Sequence, residues 1–395
     1  MLRLGVVALT LSCAALAGCS AATPADTDAP PDSGSEAVAD EQEAEPVTIT
    51  TSVRGRNVAV DQRVEVIASG GTLRKVAVTS PAGALPGKLT DNRTGWLASG
   101  RLEPGTSYAV KTVAERSDGE RVVKKSSFST EDLTLDEQTY ASVAPLDGET
   151  VGIGMPVVVT FDVPVTDRAS MERHMKVTST PQQKGSWYWL SDTLAHWRPK
   201  SYWKAGSHVE VDLDINSVNA GGGIYGQENR QVQFDIGDAH VYKVNAQTHQ
   251  MQVFNNGSLI RTIPITTGKA GFTTRSGTKV IMEKFLEKRM NSETVGISQN
   301  DPEYYDLDDV KYAMRVTNSG EFIHAAPWSE ASQGSANVSH GCTGLSTENA
   351  AWLYNLTLRG DVVEYTGTDR WMTLDNGYGD WNLPFAEYRS GSALT

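Results

Sequence analysis

Residues 338 to 346, Val-Ser-His-Gly-Cys-Thr-Gly-Leu-Ser, put a histidine, a glycine and a thiol side by side in a chain of 395 residues that contains 3 cysteines. A free thiol is only a few per cent thiolate at neutral pH. To act as a nucleophile, Cys342 needs a base or a positive field. Two histidines are near in sequence. His340 stands two residues before the thiol, a spacing that shares one face of an extended strand. His324 lies 18 residues upstream, at the end of the strand-like run Glu-Phe-Ile-His-Ala-Ala. A hairpin-like return through residues 327 to 339, rich in Ser, Gly and Asn as functional loops often are, would bring it opposite Cys342. Gly341 lets the backbone turn sharply, so that free N–H groups can face an oxyanion, at about 3 kcal/mol per donor. A helix starting just downstream would add the positive end of its dipole. This set suits attack of sulfur on a carbonyl. The competing assignment is a small, buried, inert cysteine.

The ends of the chain bear on that choice. Met1 to Ser20 has a short basic start, an apolar run and then small residues, the pattern of an export signal. Leu16-Ala17-Gly18-Cys19 resembles the lipobox of bacterial lipoproteins, in which cleavage precedes the cysteine and that cysteine carries lipid; an ordinary secretory signal is the alternative. The resemblance implies residues 1–18 as signal peptide, Cys19 as the lipidation site and membrane anchor, and a location on the extracytoplasmic face of the cell membrane. Cys13 then falls in the signal, and Cys342 is left as an unpaired thiol in an oxidising setting. Residues 19–46 hold eight acids and no aromatic residue. Such a segment cannot offset its ordering entropy by burial and is expected to be a disordered tether. It carries a large share of the formal net charge of −13. The remainder is only mildly acidic, with no basic patch for nucleic acid and no later apolar run long enough to span a membrane.

The rest of the chain must position the thiol. Residues 47–137 alternate in short runs separated by Gly, Pro and Asp-Asn clusters, and residues 138–237 repeat the pattern; both are expected to be immunoglobulin-like β-sandwiches. The stretch Trp187-Tyr188-Trp189 to Trp197 predicts a hairpin plugging a core, with a saccharide platform as the lesser reading. Gly221-Gly222-Gly223 is a loop and no phosphate cradle. Residues 238–367 form a third, mostly β domain. Asn256-Gly257 predicts a hairpin turn, and Asn318-Ser319-Gly320 another. One helix is expected, capped by Ser346, with Glu348 in its first turn and Gly360 ending it. Residues 368–395 have aromatic residues without periodicity and are expected to wrap back onto an earlier domain. His174, His196, His208, His240 and His249 are expected on surfaces or loops, and no metal site or cofactor is expected.

The spacing of His324 from Ser339-His340-Gly341-Cys342, with His-Ala-Ala-Pro-Trp at its start, resembles the L,D-transpeptidase family with a YkuD-type catalytic domain. Trp328, Arg-Gly-Asp at 359 to 361 and Gly-Asp-Trp-Asn at 379 to 382 extend the likeness, which is nearest to the actinobacterial lipoprotein type with two immunoglobulin-like domains. The resemblance implies that Cys342 attacks the meso-diaminopimelate–D-alanine bond of a peptidoglycan tetrapeptide stem and passes the acyl group to an amine, giving 3→3 crosslinks. It implies that His324 is the base, that His340 supports the site, that the backbone N–H groups of Gly341 and Cys342 serve the oxyanion, and that carbapenems acylate the thiol. Ser319, Gly320, Trp328, Ser339 and Gly344 match substrate-binding positions, and Tyr305 or Tyr304 a lid tyrosine. Two residues depart from the pattern: Gly344 stands where Asn is usual, and Ala325 where Ser is usual. An L,D-carboxypeptidase or protein-attaching enzyme, and a silent lipid-anchored wall-binding protein, remain as alternatives. A monomer is expected.

Overall fold

The computed structural model describes residues 45–395. The signal segment, Cys19 and nearly all of the acidic tether lie outside the described residues.

The chain is mainly β. Strands between Thr48 and Thr130 form a four-stranded and a five-stranded sheet facing each other. Ser107–Glu115 alternates buried and exposed positions, as a half-buried strand must. Its inward residues Tyr108 and Val110 join Leu73, Trp96 and Phe128 in the core. The second sandwich faces the sheet containing Gly185–Ser191 and Leu194–Pro199 against the sheet containing Met175–Thr180 and His208–Leu213. Trp187, Trp189 and Trp197 are all buried between the sheets. The indole N–H of Trp187 donates to Met175 O (3.1 Å) and that of Trp189 to Glu172 (2.8 Å). These rings therefore plug the core, and no face is left for a sugar.

Strands of the third domain are numbered here from its start. They are β1 (His240–Asn245), β2 (Gln250–Asn255), β3 (Ser258–Pro264), β4 (Gly277–Val280), β5 (Glu283–Asn291), β6 (Asp306–Arg315), β7 (Phe322–Ala325), β8 (Thr343–Leu345) and β9 (Val362–Thr366). One sheet has the order β3-β2-β1-β9-β4 and the other β5-β6-β7-β8. Asn256 and Gly257, at φ 48° and 81°, make the two-residue turn between β2 and β3. Helix α1 (Thr347–Leu356) packs Ala350 and Leu353 into the core; Ser346 Oγ caps it by accepting the Asn349 N–H at 3.3 Å. The helix stops at Leu356, with Thr357 at its C-cap. Gly360 (φ +97°) belongs to the turn after it and does not end it.

β7 and β8 run parallel, with Ile323 beside Thr343 and His324 beside Gly344. The hairpin-like return expected between them is therefore a crossover. Residues 326–342 make it through a short 3₁₀ helix, Pro327–Ser332, and a bridge from Ser339 to Gly268.

The segment after Thr366 folds back over the second sandwich. Arg198, 2% exposed, lies against the rings of Trp381 (4.7 Å) and Tyr388 (4.3 Å). His196 Nδ1 is 3.1 Å from Asp380. His240 is likewise paired with Asp361, at 3.0 Å. Both histidines are buried strand residues. A sequence scan places them on surfaces because their carboxylate partners are remote in the chain.

Candidate active site

Residues i and i+2 of a strand share a face. Parallel register therefore puts Cys342, just ahead of β8, on the same side as Gly344 and its neighbour His324. That side is the floor of a cavity of about 500 Å³, lined among others by Cys342, His324, Trp328, Tyr305, His340 and Gly344. Trp328 is 61% exposed, with its ring 5.9 Å from that of His324. It forms a wall of the cavity. Tyr305, not Tyr304, lines it; burial pushes its phenol pKa up to about 12.

His324 is buried, and its Nδ1 is 2.8 Å from the carbonyl oxygen of Ala325. A proton on Nδ1 donated to that carbonyl leaves the Nε2 lone pair free as a base. The contact uses backbone only, so alanine at 325 supplies it as well as serine would. Burial holds the imidazole pKa below its ordinary value. Cys342 is partly buried, and its Sγ donates to Gly320 O at 3.7 Å. Burial pushes its pKa up to about 11; a hydrogen bond from the Phe322 backbone opposes this, Glu321 adds to it, and Lys279 opposes it. Burial thus disfavours the charged form of both groups.

Gly341 has φ +120°, a conformation costly for a side-chain-bearing residue. His340 lines the same cavity as Cys342. Its Nε2 meets Glu303 Oε2 at 2.7 Å, and its ring lies between Phe272 (4.7 Å) and Tyr305 (5.1 Å). Glu303 also takes Lys269 Nζ at 2.6 Å; Lys269, then His340, holds its carboxyl below the usual range. Ser339 Oγ donates to Cys342 O (2.6 Å) and accepts the Gly341 N–H (3.1 Å). One of the two N–H groups considered for an oxyanion is thus engaged by Ser339.

Gly320 (φ +91°) closes the turn between β6 and β7 at the sulfur. Ser319 faces away from the cavity, its N–H donating to Asn376 Oδ1 at 2.9 Å. Gly344 is buried, and a Cβ on it would stand 2.9 Å from both Ala326 Cβ and Thr266 Cγ2. Those two side chains occupy the room that a larger residue at 344 would need.

Sequence reasoning missed an ionic cluster behind the thiol. Lys279, fully buried, pairs with Glu321, and Arg275 Nη1 reaches the same carboxylate at 2.9 Å. Lys279 Nζ also sits 3.7 Å above the Tyr365 ring. Burial lowers the Lys279 pKa to about 8 despite Glu321. The one signal was a lysine inside the otherwise uncharged run Ser276 to Met282; nothing in spacing ties it to a glutamate 42 residues on. Among the described residues, no group of three His, Cys, Asp or Glu side chains could hold a metal ion.

Residues 55–219 match the family described as bacterial Ig domain, and residues 239–364 the family described as L,D-transpeptidase catalytic domain. The chain is 34% identical to L,D-transpeptidase 2 of Mycobacterium tuberculosis over 338 residues, which is 85% of this chain and 82% of that protein. It is 34% identical to L,D-transpeptidase 5 of the same species, over 84% of this chain and 73% of that one. A solved structure of an LD transpeptidase in complex with imipenem is 38% identical, with a TM-score of 0.51 over 57% of this chain and 98% of the other. With a thiol and an imidazole set on one face of two paired strands, and likeness along both its sandwich and catalytic regions, this chain belongs to the L,D-transpeptidase family.

Proposed function

We propose that this protein joins peptidoglycan stems through a thioester on Cys342. The observation that carries this reading is the placement of Cys342 and His324 on one face, at the floor of one cavity. His324 Nε2 takes the thiol proton as sulfur attacks the carbonyl between meso-diaminopimelate and D-alanine of a tetrapeptide. The C–N bond breaks, the proton passes from His324 to the departing amine, and D-alanine leaves. The side-chain amine of a second stem then attacks the thioester and gives its proton to His324. The C–S bond breaks, the sulfur regains a proton, and a 3→3 crosslink remains. His324 carries each proton in turn, which suits an imidazole whose pKa burial lowers. Wall stems are thus the substrate. The lipobox at Cys19 supports tethering of a monomer to the extracytoplasmic face of the membrane, with the sandwiches as spacer.

The test is intact mass of residues 47–395 after incubation with imipenem, and then with a tetrapeptide donor and an amine acceptor. The expected result is one adduct on the protein, absent in Cys342→Ala, and a crosslinked product with release of D-alanine. A folded protein that takes no adduct overturns the proposal. Release of D-alanine with no crosslinked product replaces it with a carboxypeptidase.

A further inference from the structure

Two residues of one turn neighbour the sulfur of Cys342: Gly320, whose carbonyl accepts from Sγ at 3.7 Å, and Phe322, whose backbone lowers the pKa of the thiol. Both belong to the short segment 317–322 that turns from β6 into β7. Within the catalytic domain this segment is held from inside. Thr317 Oγ accepts the Glu321 N–H at 2.8 Å, and Val316 N–H donates to Glu321 O at 3.0 Å.

The outer side of the turn is held by the C-terminal segment. Asn376 Oδ1 accepts the Ser319 N–H at 2.9 Å, and Asn376 Nδ2 donates to Ser319 Oγ at 3.0 Å. Asn318 Nδ2 adds a bond to Asp375 O at 3.1 Å. Close approach is secured at Gly377 (φ +96°), where a Cβ would lie 2.6 Å from Met282 Sδ and 3.4 Å from Thr317 Cα. A few residues further on, the same segment is locked into the second sandwich. Trp381 Nε1 donates to Gly154 O at 2.8 Å, and Asp380 meets His196. The segment is a strut with one end in the sandwich and the other on the turn beside the thiol.

We propose that Asn376 is a positioning residue for the nucleophile. Its paired hydrogen bonds fix the Ser319–Gly320 turn, and through it the Gly320 carbonyl that orients the sulfur of Cys342. This rests on Cys342 being the nucleophile. It makes the C-terminal segment, and the sandwich that anchors it, part of the active site's framework.

The test uses Asn376→Ala and Asn376→Asp; the second keeps the acceptor for the Ser319 N–H and loses the donor to Ser319 Oγ. Two rates are measured on each: alkylation of Cys342 by iodoacetamide from pH 6 to 11, and acylation by imipenem at pH 7, beside thermal melting. A displaced nucleophile costs on the order of tenfold to a hundredfold in rate. Asn376→Ala is expected to acylate at least about tenfold more slowly, within that range, and to show a thiol titration displaced from wild type. Asn376→Asp is expected to recover part of both. A melting temperature little changed across the set separates positioning from loss of fold. Unaltered titration and acylation in Asn376→Ala overturns the proposal, as does a loss that simply follows melting. The alkylation profile decides the matter even where wild type takes no acyl group, so the two proposals fail separately.

Discussion

The thiol of Cys342 rests on the carbonyl of Gly320, 3.7 Å away, while the imidazole of His324 is pinned through Nδ1 to Ala325 O at 2.8 Å. Neither contact joins the two reactive groups to each other, and burial disfavours the charged form of each.

That arrangement sets a pH dependence. With its pKa pushed up to about 11, Cys342 should alkylate with iodoacetamide at a rate that climbs about tenfold per pH unit through pH 9 and levels only near pH 11. An ordinary thiol levels about two units earlier. In stability, the native state holds this proton more tightly than the unfolded chain does. The contribution is complete below pH 9 and is lost as pH rises through about 11. Lys279, lowered to about 8, works in the opposite direction over part of that window. The difference between wild type and Cys342→Ala isolates the thiol: guanidinium unfolding should show the wild type losing stability relative to the variant between pH 8 and 11.

Serine at 325 should restore nothing, because the group that orients His324 is a main-chain carbonyl. Ala325→Ser is expected to acylate with imipenem within about threefold of wild type, whereas His324→Gln, which removes the base, should lose about 10²-fold or more. Stopped-flow acylation at pH 7 measures both.

Asparagine at 344 meets Ala326 and Thr266 at once, since even its Cβ would stand 2.9 Å from each. Overpacking of this kind costs about 1–3 kcal/mol. Gly344→Asn should lower the denaturation midpoint by that measure, and adding Ala326→Gly should recover much of it. No recovery in the double variant would place the cost elsewhere.

These residues also show what a sequence can and cannot disclose. Asn256-Gly257 announces its hairpin because both residues tolerate the positive φ the turn demands. Trp187, Trp189 and Trp197 announce a core because alternation puts large rings on one face of a hairpin. The chemistry of Cys342 is legible because histidine and glycine stand next to it. Parallel pairing of β7 with β8 was not, since local pattern is the same for either direction. His196–Asp380, Glu303–His340 and Lys279–Glu321 are pairs made wholly by the fold.

The last of these pairs carries the largest stability prediction. Glu321 follows Gly320 directly, and its carboxylate is shared by Lys279, fully buried, and Arg275. Removing one member of a buried ion pair leaves a charge without its partner and typically costs about 3–5 kcal/mol. Lys279→Met should therefore lower stability by about that range, reduced by whatever Arg275 retains. Lys279→Met combined with Glu321→Gln removes both charges and should recover a large part of the loss, because the desolvation of the carboxylate disappears with it. Chemical denaturation of the two variants at pH 7 measures this directly. Equal losses in the single and double variants would mean that packing of the lysine stem over Tyr365, and not charge, is what Lys279 contributes.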